Sequence, residues 1–77
     1  MNVRVGNRVN RKKLRNSKWT AVRPVDREKH FIVLDWERDD NDQPTDRIQL
    51  EAILTGRVRL LDHKALADQE TWLIGWR

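Results

Sequence analysis

Alternation between apolar and polar residues predicts four β-strands in the middle of the chain. Successive side chains of a strand point to opposite faces of a sheet, so a two-residue period indicates a strand with one buried face. The pattern opens with strand-forming residues, and Pro24 is expected to end the first strand. The predicted strands cover residues 17–23, 30–38, 47–54 and 57–60.

Short polar segments separate these strands and predict tight connections. Residues 26–29 form a charged turn, residues 39–46 form a polar hairpin loop, and Gly56 supplies the positive φ angle that a two-residue turn needs. Sequential strands joined in this way pair antiparallel, and a short twisted sheet tends to curl onto its core. The expected fold class is therefore mostly β, an antiparallel four-stranded sheet curled into a small partly open barrel, with one short helix near the C-terminus.

The longest predicted strand, residues 30–38, divides its side chains between two faces. One face takes His30, Ile32, Leu34 and Trp36. The other takes Phe31, Val33, Asp35 and Glu37. Because the first set is the more apolar, we expect it to face the core.

Beyond residue 61 the period changes, and this change predicts the short helix. Asp62 is a suitable N-cap, and the good helix formers of residues 63–69 provide about two turns. The apolar tail, residues 71–77, carries Trp72 and Trp76 at a spacing that fits a helix and a strand equally. In either conformation we expect the tail to pack onto the sheet.

The first sixteen residues show no sustained period. They combine low hydrophobicity with high charge, which is typical of a flexible segment. Val3 and Val5 alternate with Arg4, so a short edge strand is an alternative there. The predicted organisation is a basic, flexible N-terminal arm, residues 1–16, followed by a single small β-rich domain, residues 17–77.

Charge is also unevenly distributed along the chain. The net charge of +4 combines residues 1–23, with eight basic and no acidic residues, and residues 24–77, with the other eight basic and all twelve acidic residues. Lys and Arg side chains that reach phosphates release counterions and bind nucleic acid in a salt-dependent way. The candidate nucleic-acid-binding residues, in the arm and at the start of the domain, are Arg8, Arg11, Lys12, Lys13, Arg15 and Lys18.

The aromatic residues have two interpretations. The chain has four Trp, one Phe and no Tyr, and each buried aromatic side chain removes roughly 150–250 Å² from water. Exposed Trp residues beside a basic arm could stack on nucleic-acid bases. A chain this short needs large side chains inside, however, which favours a structural role. The predicted core aromatics are Trp19, Phe31, Trp36, Trp72 and Trp76.

No residue pattern indicates catalysis, a cofactor or a metal. Cys is absent, no Gly-x-Ser-x-Gly motif or Gly-rich phosphate loop occurs, and His30 and His63 are the only histidines. The acidic run 39–43 begins like a calcium-binding loop, but Pro44 stands where Gly is required and Leu50 where a bidentate Glu belongs. We therefore predict no catalytic residues, no metal ligands, no cofactor and no enzyme activity.

Hydropathy indicates the compartment. No apolar run approaches the roughly 18–20 residues that span a bilayer, and the N-terminus lacks the apolar stretch of a signal peptide. The Arg-rich, acid-free start leaves an organelle transit peptide as an alternative. We expect a cytoplasmic monomer without membrane association.

Several short motifs resemble a known family. They are SKWTAV at 17–22, EKHF at 28–31, LEA at 50–52, Trp72 with Gly75 and Trp76, and the NRKKL segment at 10–14. Together they are similar to the small bacterial tryptophan-rich proteins of unknown function, over residues 8–77. Trp36 is an additional Trp, and Leu61 and Asp62 occupy positions where the family would have an aromatic residue. The resemblance implies no assigned activity.

Two functional hypotheses follow. Small domains without pockets commonly bind partners by strand addition or surface docking, which favours a protein–protein adaptor with an unidentified protein partner. The basic arm favours the alternative, a module that binds single-stranded nucleic acid through phosphate contacts. The opposite charges of arm and body also predict that the arm can fold back on the acidic loop 39–46.

Overall fold

A computed structural model describes residues 6–77, which form one antiparallel sheet of five strands in the order β4-β3-β2-β1-β5. Two short 3-10 turns accompany it, η1 at Arg11–Lys13 and η2 at His63–Ala67. The strands are β1 Lys18–Val25, β2 Glu28–Arg38, β3 Pro44–Ala52, β4 Val58–Asp62 and β5 Trp72–Ile74. The mostly β, antiparallel prediction is confirmed.

The apolar tail supplies the fifth strand, which the prediction of four strands lacked. β5 pairs antiparallel with β1, Ala21 opposite Trp72 and Trp19 opposite Ile74. The expected barrel does not form, because β4 and β5 lie at opposite edges of the sheet and do not pair. Closure is not needed for burial here, since chain segments outside the sheet cover its apolar face.

The predicted C-terminal helix is a single 3-10 segment, His63–Ala67. The N-cap prediction holds, because the Asp62 carboxylate accepts a hydrogen bond of 2.9 Å from the Lys64 amide. The segment ends early since the chain turns at Asp68, whose carbonyl accepts from the amides of Thr71 and Trp72 to start β5. Within residues 6–77, no helix is long and apolar enough to cross a membrane.

The β1–β2 connection is tighter than expected. Val25 pairs with Glu28, so only Asp26 and Arg27 form the turn, with φ angles of 55° and 66°. The prediction that Pro24 ends the first strand is wrong. The β1–β2 register shifts between Thr20 and Val25, and a Pro without an N–H is tolerated where the ladder is already interrupted.

A bulge in β2 reverses the predicted core face. Val33 pairs with Leu50, but the next β3 residue, Gln49, pairs with Asp35, so Leu34 is an extra residue on β2. Phe31 and Val33 are buried at 4% and 0% exposure, whereas Leu34 is 37% exposed. Because the side-chain period of a strand is two, one extra residue moves Trp36 onto the same face as Phe31.

The core lies on one face of the sheet, which we name the covered face, and residues 6–14 with η2 lie over it. Leu66 of η2 is fully buried, and the Asn7 amide donates to the Ala67 carbonyl at 2.9 Å. Leu14, which the sequence assigns to the arm, is only 2% exposed. The buried apolar residues are Leu14, Trp19, Phe31, Val33, Ile48, Leu50, Ala52, Leu66 and Trp72.

The predicted Val3–Val5 strand lies outside the described residues.

Candidate partner-binding edge and aromatic pocket

The outer side of β4 presents backbone groups to solvent. Ala52 donates to the Arg57 carbonyl at 2.9 Å, so the backbone of residue 57 points towards β3. Backbone direction alternates along an antiparallel strand, which turns the N–H and C=O of Val58 and Leu60 outwards. No residue of the described chain accepts from or donates to these groups. We name this row of groups the β4 edge.

The opposite edge of the sheet is covered. At β5, the Trp72 amide donates to the Asp68 carbonyl at 2.9 Å, and the Trp72 carbonyl accepts from the Asn7 side-chain amide at 2.6 Å. The 68–71 turn and the arm thus satisfy the outward groups of Trp72, and the Arg77 guanidinium donates to the Ile74 carbonyl at 3.0 Å. Of the two outermost strands, β4 is the one with an edge accessible to another chain.

The β4 edge is regular and partly apolar. Pairing with β3 runs without a shift from Glu51–Val58 to Arg47–Asp62. Val58 and Leu60 are 50% and 46% exposed. Edge strands are usually protected by Pro, a bulge or a charged side chain, and β4 contains no Pro or bulge. Its one basic side chain, Arg59, is directed over the core.

The side of the sheet opposite the core, which we name the open face, extends from the β4 edge and mixes apolar and charged side chains. Cross-strand pairing places Lys18, Ile32, Glu51 and Val58 in one row across four strands. Trp76 lies at the β1 end of this row, with the Lys18 ammonium 4.7 Å from its ring centre. Its indole N–H donates to the Phe31 carbonyl at 2.9 Å, and the side chain stays 44% exposed.

A pocket of about 340 Å³ opens at the end of the covered face, between β1, β5 and β4. Its floor is the pair Phe31 and Trp72, with ring centres 5.2 Å apart and planes at 83°. The Arg59 guanidinium carbon lies 5.2 Å from the Phe31 ring centre and 5.5 Å from that of Trp72. The aromatic pocket is lined by these three residues and by Ala21, Arg23, Val25, Glu28, Asp68, Glu70 and Thr71.

The acidic groups of the aromatic pocket already have partners. Glu28 accepts from the Thr55 hydroxyl and pairs with Arg57 at 3.6 Å. The Asp68 carboxylate accepts from the Glu70 amide and the Thr71 hydroxyl, at 3.0 and 2.8 Å. Glu70 likewise has an interaction partner.

The two arginines that line the pocket, Arg23 and Arg59, differ from these acidic groups in their ion pairing. Among residues 6–77, no carboxylate forms an ion pair with Arg23 or Arg59. The Arg59 guanidinium lies over the Phe31 and Trp72 rings. The pocket therefore combines a buried aromatic floor with cationic groups that are not neutralised by the described chain.

Comparison with known families identifies the chain. The family model described as Tryptophan-rich protein (DUF2389) matches residues 17–77. The chain belongs to this family. The match confirms the resemblance drawn from the SKWTAV and EKHF motifs, and it assigns no function. No curated protein and no solved structure matches the chain.

The tryptophans of this family member occupy three environments. Trp19 and Trp72 are in the core, each 2% exposed. Trp36 is partly buried against it and meets the His63 ring edge-on at 5.1 Å. Trp76, which we expected in the core, lies on the open face because the chain crosses the sheet edge at Gly75, whose carbonyl accepts from the buried Thr20 hydroxyl.

Three of the predicted nucleic-acid-binding residues have partners within the described chain. Lys18 lies over Trp76, and Arg15 is 3.5 Å from the Asp35 carboxylate. Arg11 is 3.3 Å from the Asp46 carboxylate. This last contact joins the arm to β3, because Asp46 belongs to that strand and not to the predicted 39–46 loop.

The other three predicted residues, Arg8, Lys12 and Lys13, are exposed and form no ion pair within residues 6–77. Lys12 and Lys13 belong to η1, which Asn10 caps by accepting from the Lys12 amide at 3.0 Å. The structure thus separates the six residues into three engaged and three solvated cations. Their role in binding nucleic acid stays a prediction, as does the division into an arm and a domain.

His63 is a structural histidine in this arrangement. It is 7% exposed, and its Nδ1 lies 2.8 Å from the Asp46 carbonyl. With Nδ1–H donating there, Nε2 accepts from the Arg11 guanidinium at 3.3 Å. Within residues 6–77, no group of three His, Cys, Asp or Glu side chains could hold a metal. The prediction that the protein is not an enzyme remains untested.

Sequence reasoning missed Arg59 and the aromatic pocket. The alternation of residues 57–60 was visible and placed Arg57 and Arg59 on one face. What lay beneath that face could not be read from it, because Phe31 and Trp72 come from strands that are distant in sequence. The available signal was that Arg57 and Arg59 alternate with the apolar residues Val58 and Leu60.

Proposed function

We propose that this protein is a non-enzymatic protein–protein adaptor that binds an extended segment of a partner protein along β4. The observation that carries the proposal is the β4 edge, a straight and uncovered row of backbone donors and acceptors at Val58 and Leu60. Strand addition gains its affinity from main-chain hydrogen bonds and its specificity from alternate side chains.

The side chains of β4 define the partner segment. On the open face, Val58 and Leu60 would neighbour apolar residues of the added strand. On the covered face, Arg59 would neighbour an acidic residue, since opposite charges on adjacent strands stabilise a sheet. A second copy of this chain fits less well, because two β4 strands would bring the Arg57 and Arg59 guanidiniums of both copies together.

The test uses two variants of the β4 edge. Leu60→Pro removes the outward N–H but leaves the hydrogen bonds to β3, which come from neighbouring residues. Leu60→Val keeps the N–H and is the matched control. We expect a protein retained from the native host's lysate by wild type and Leu60→Val but lost with Leu60→Pro. In the complex, the amides of Val58 and Leu60 should become protected from hydrogen exchange.

Retention by both variants alike, or protection elsewhere on the sheet, would show that the partner does not add to β4. The same capture experiment detects self-association. A retained second copy would replace the proposed heterologous partner.

A second candidate function is binding of single-stranded nucleic acid, which the three solvated cations Arg8, Lys12 and Lys13 support. In this case the retained material would be nuclease-sensitive. Its retention would fall steeply with salt, since each phosphate contact releases counterions. Replacing Lys12 and Lys13 with Gln would weaken it, whereas Lys64→Gln, an exposed cation of η2, would have little effect.

A further inference from the structure

We infer that the aromatic pocket is a binding site for a carboxylate carried on a planar, apolar group. This site shares Arg59 with β4, but it is formed by side chains of the covered face and needs no backbone pairing. The inference therefore does not depend on the proposed adaptor function.

The floor selects a planar, apolar group. Phe31 and Trp72 are 4% and 2% exposed overall, and their rings meet edge to face at the bottom of the pocket. Ala21 and Val25 add apolar walls. Because the Arg59 guanidinium lies over both rings, a planar ligand would stack on the guanidinium plane and contact the ring edges. A volume of about 340 Å³ is enough for a single substituted ring.

The charge that completes the site is Arg59. Its guanidinium is held 5.2 and 5.5 Å from the two ring centres. Cation–π contact orients the group but leaves its N–H donors without a carboxylate from residues 6–77. A planar guanidinium can bind a carboxylate through two parallel hydrogen bonds, which makes it the natural donor for that group.

The charged side chains around the pocket disfavour other ligand charges. Glu28, Asp68 and Glu70 also line the pocket, so a dianion such as a phosphate would be repelled more than a monoanion. A cationic ligand would lie against Arg59 and Arg23. A single carboxylate balances the free guanidinium without competing with acids that already have partners.

The experiment measures binding of phenylacetate to the full 77-residue chain, with the neutral phenylacetamide as matched probe. Titration calorimetry gives the affinity, and the indole N–H of Trp72 in two-dimensional NMR reports the place. Arg59→Gln removes the guanidinium, Arg59→Lys keeps a charge, and Arg38→Gln, at the far end of β2, is the control. Circular dichroism verifies the fold of each variant.

We expect phenylacetate to shift the Trp72 resonance and to bind more tightly than the amide. Loss of one charged hydrogen-bonding partner should weaken it about tenfold in Arg59→Gln, with partial recovery in Arg59→Lys. Equal binding of acid and amide, no binding of either, or equal loss in Arg59→Gln and Arg38→Gln would overturn the inference. If Arg59→Gln does not fold, the acid–amide comparison on wild type still decides.

The carboxylate could belong to a small molecule or to a peptide. A short peptide with a C-terminal Phe, compared with its C-terminal amide, separates the two sources. Tighter binding of the free-acid peptide than of phenylacetate assigns the site to a protein terminus. Tighter binding of phenylacetate than of the free-acid peptide assigns the site to a small organic acid. These binding measurements do not depend on whether Leu60→Pro loses a partner in the capture experiment. Failure of the adaptor proposal and failure of this inference can therefore be told apart.

Discussion

Leu14 comes from a highly charged stretch of the chain, yet its side chain is among the most buried of the molecule at 2% exposure. It packs with Trp19, Phe31 and Leu66 in one cluster. Hydrogen bonds fix its neighbourhood, because the Leu14 carbonyl accepts from both the amide and the hydroxyl of Ser17. A single residue thus joins the arm to the core.

Leu14→Ala should lower the free energy of unfolding by about 2–5 kcal/mol, since it removes buried methylene groups and leaves a cavity. Leu54→Ala, at a residue that is 67% exposed, should change it by less than about 0.5 kcal/mol. Urea denaturation followed by Trp fluorescence measures both. Similar effects of the two substitutions would mean that Leu14 does not belong to the core in solution.

At the scale of elements, the β1–β2 hairpin turns through two residues that both have left-handed backbone conformations. Asp26 and Arg27 have φ angles of 55° and 66°. This geometry matches the twist of the flanking strands, which is why two-residue hairpins favour it. Asp tolerates the conformation because of its short polar side chain, whereas Arg27 is strained there.

Arg27→Gly should therefore stabilise the protein by about 0.5–1 kcal/mol, the relief of strain less the added freedom of the unfolded chain. Lys29→Gly, in the adjoining strand β2, should destabilise it by about 0.5–1 kcal/mol. Thermal unfolding monitored by circular dichroism compares the two. A loss of stability in Arg27→Gly would show that this turn is not left-handed at both positions.

At the scale of the whole molecule, the protein is thin, with principal extents of 43, 33 and 17 Å. One face of the sheet is covered by residues 6–14 and η2, and the other is largely bare. The cover is held by specific contacts, including Asn7 with the Leu66 carbonyl at 2.9 Å and Arg11 at 4.3 Å from the Trp36 ring centre. The arm is therefore part of the packing.

Deleting residues 1–15 should destabilise the protein by at least as much as Leu14→Ala, because it also uncovers Trp36 and removes the Asn7 contacts. Replacing Lys12 and Lys13 with Gln should leave stability within about 0.5 kcal/mol, since both are exposed. Denaturant unfolding distinguishes the two effects. A truncated chain as stable as the full one would mean that the arm covers the core only loosely.

Local patterns were enough for much of the secondary structure. The alternation predicted most of β3 and β4, but β3 ends at Ala52, so the connection to β4 is longer than the two-residue turn expected at Thr55 and Gly56. Asp62 predicted the start of η2, and the charged run after Val25 predicted a turn. Predictions failed where a single residue changed the register. Leu34 bulges out of β2, and extrapolating the alternation across it exchanged the two faces of that strand.

The sequence by itself determined a cysteine-free, tryptophan-rich, mostly β family member with a basic start and an acidic body, because composition and short-range period carry those properties. Only the tertiary structure decided that the tail pairs with β1, that Leu14 is buried and Trp76 is not, and that Arg59 lies over Phe31 and Trp72. These features depend on contacts between segments far apart along the chain. No local pattern specifies such contacts, since they arise from competition among many segments for one small core.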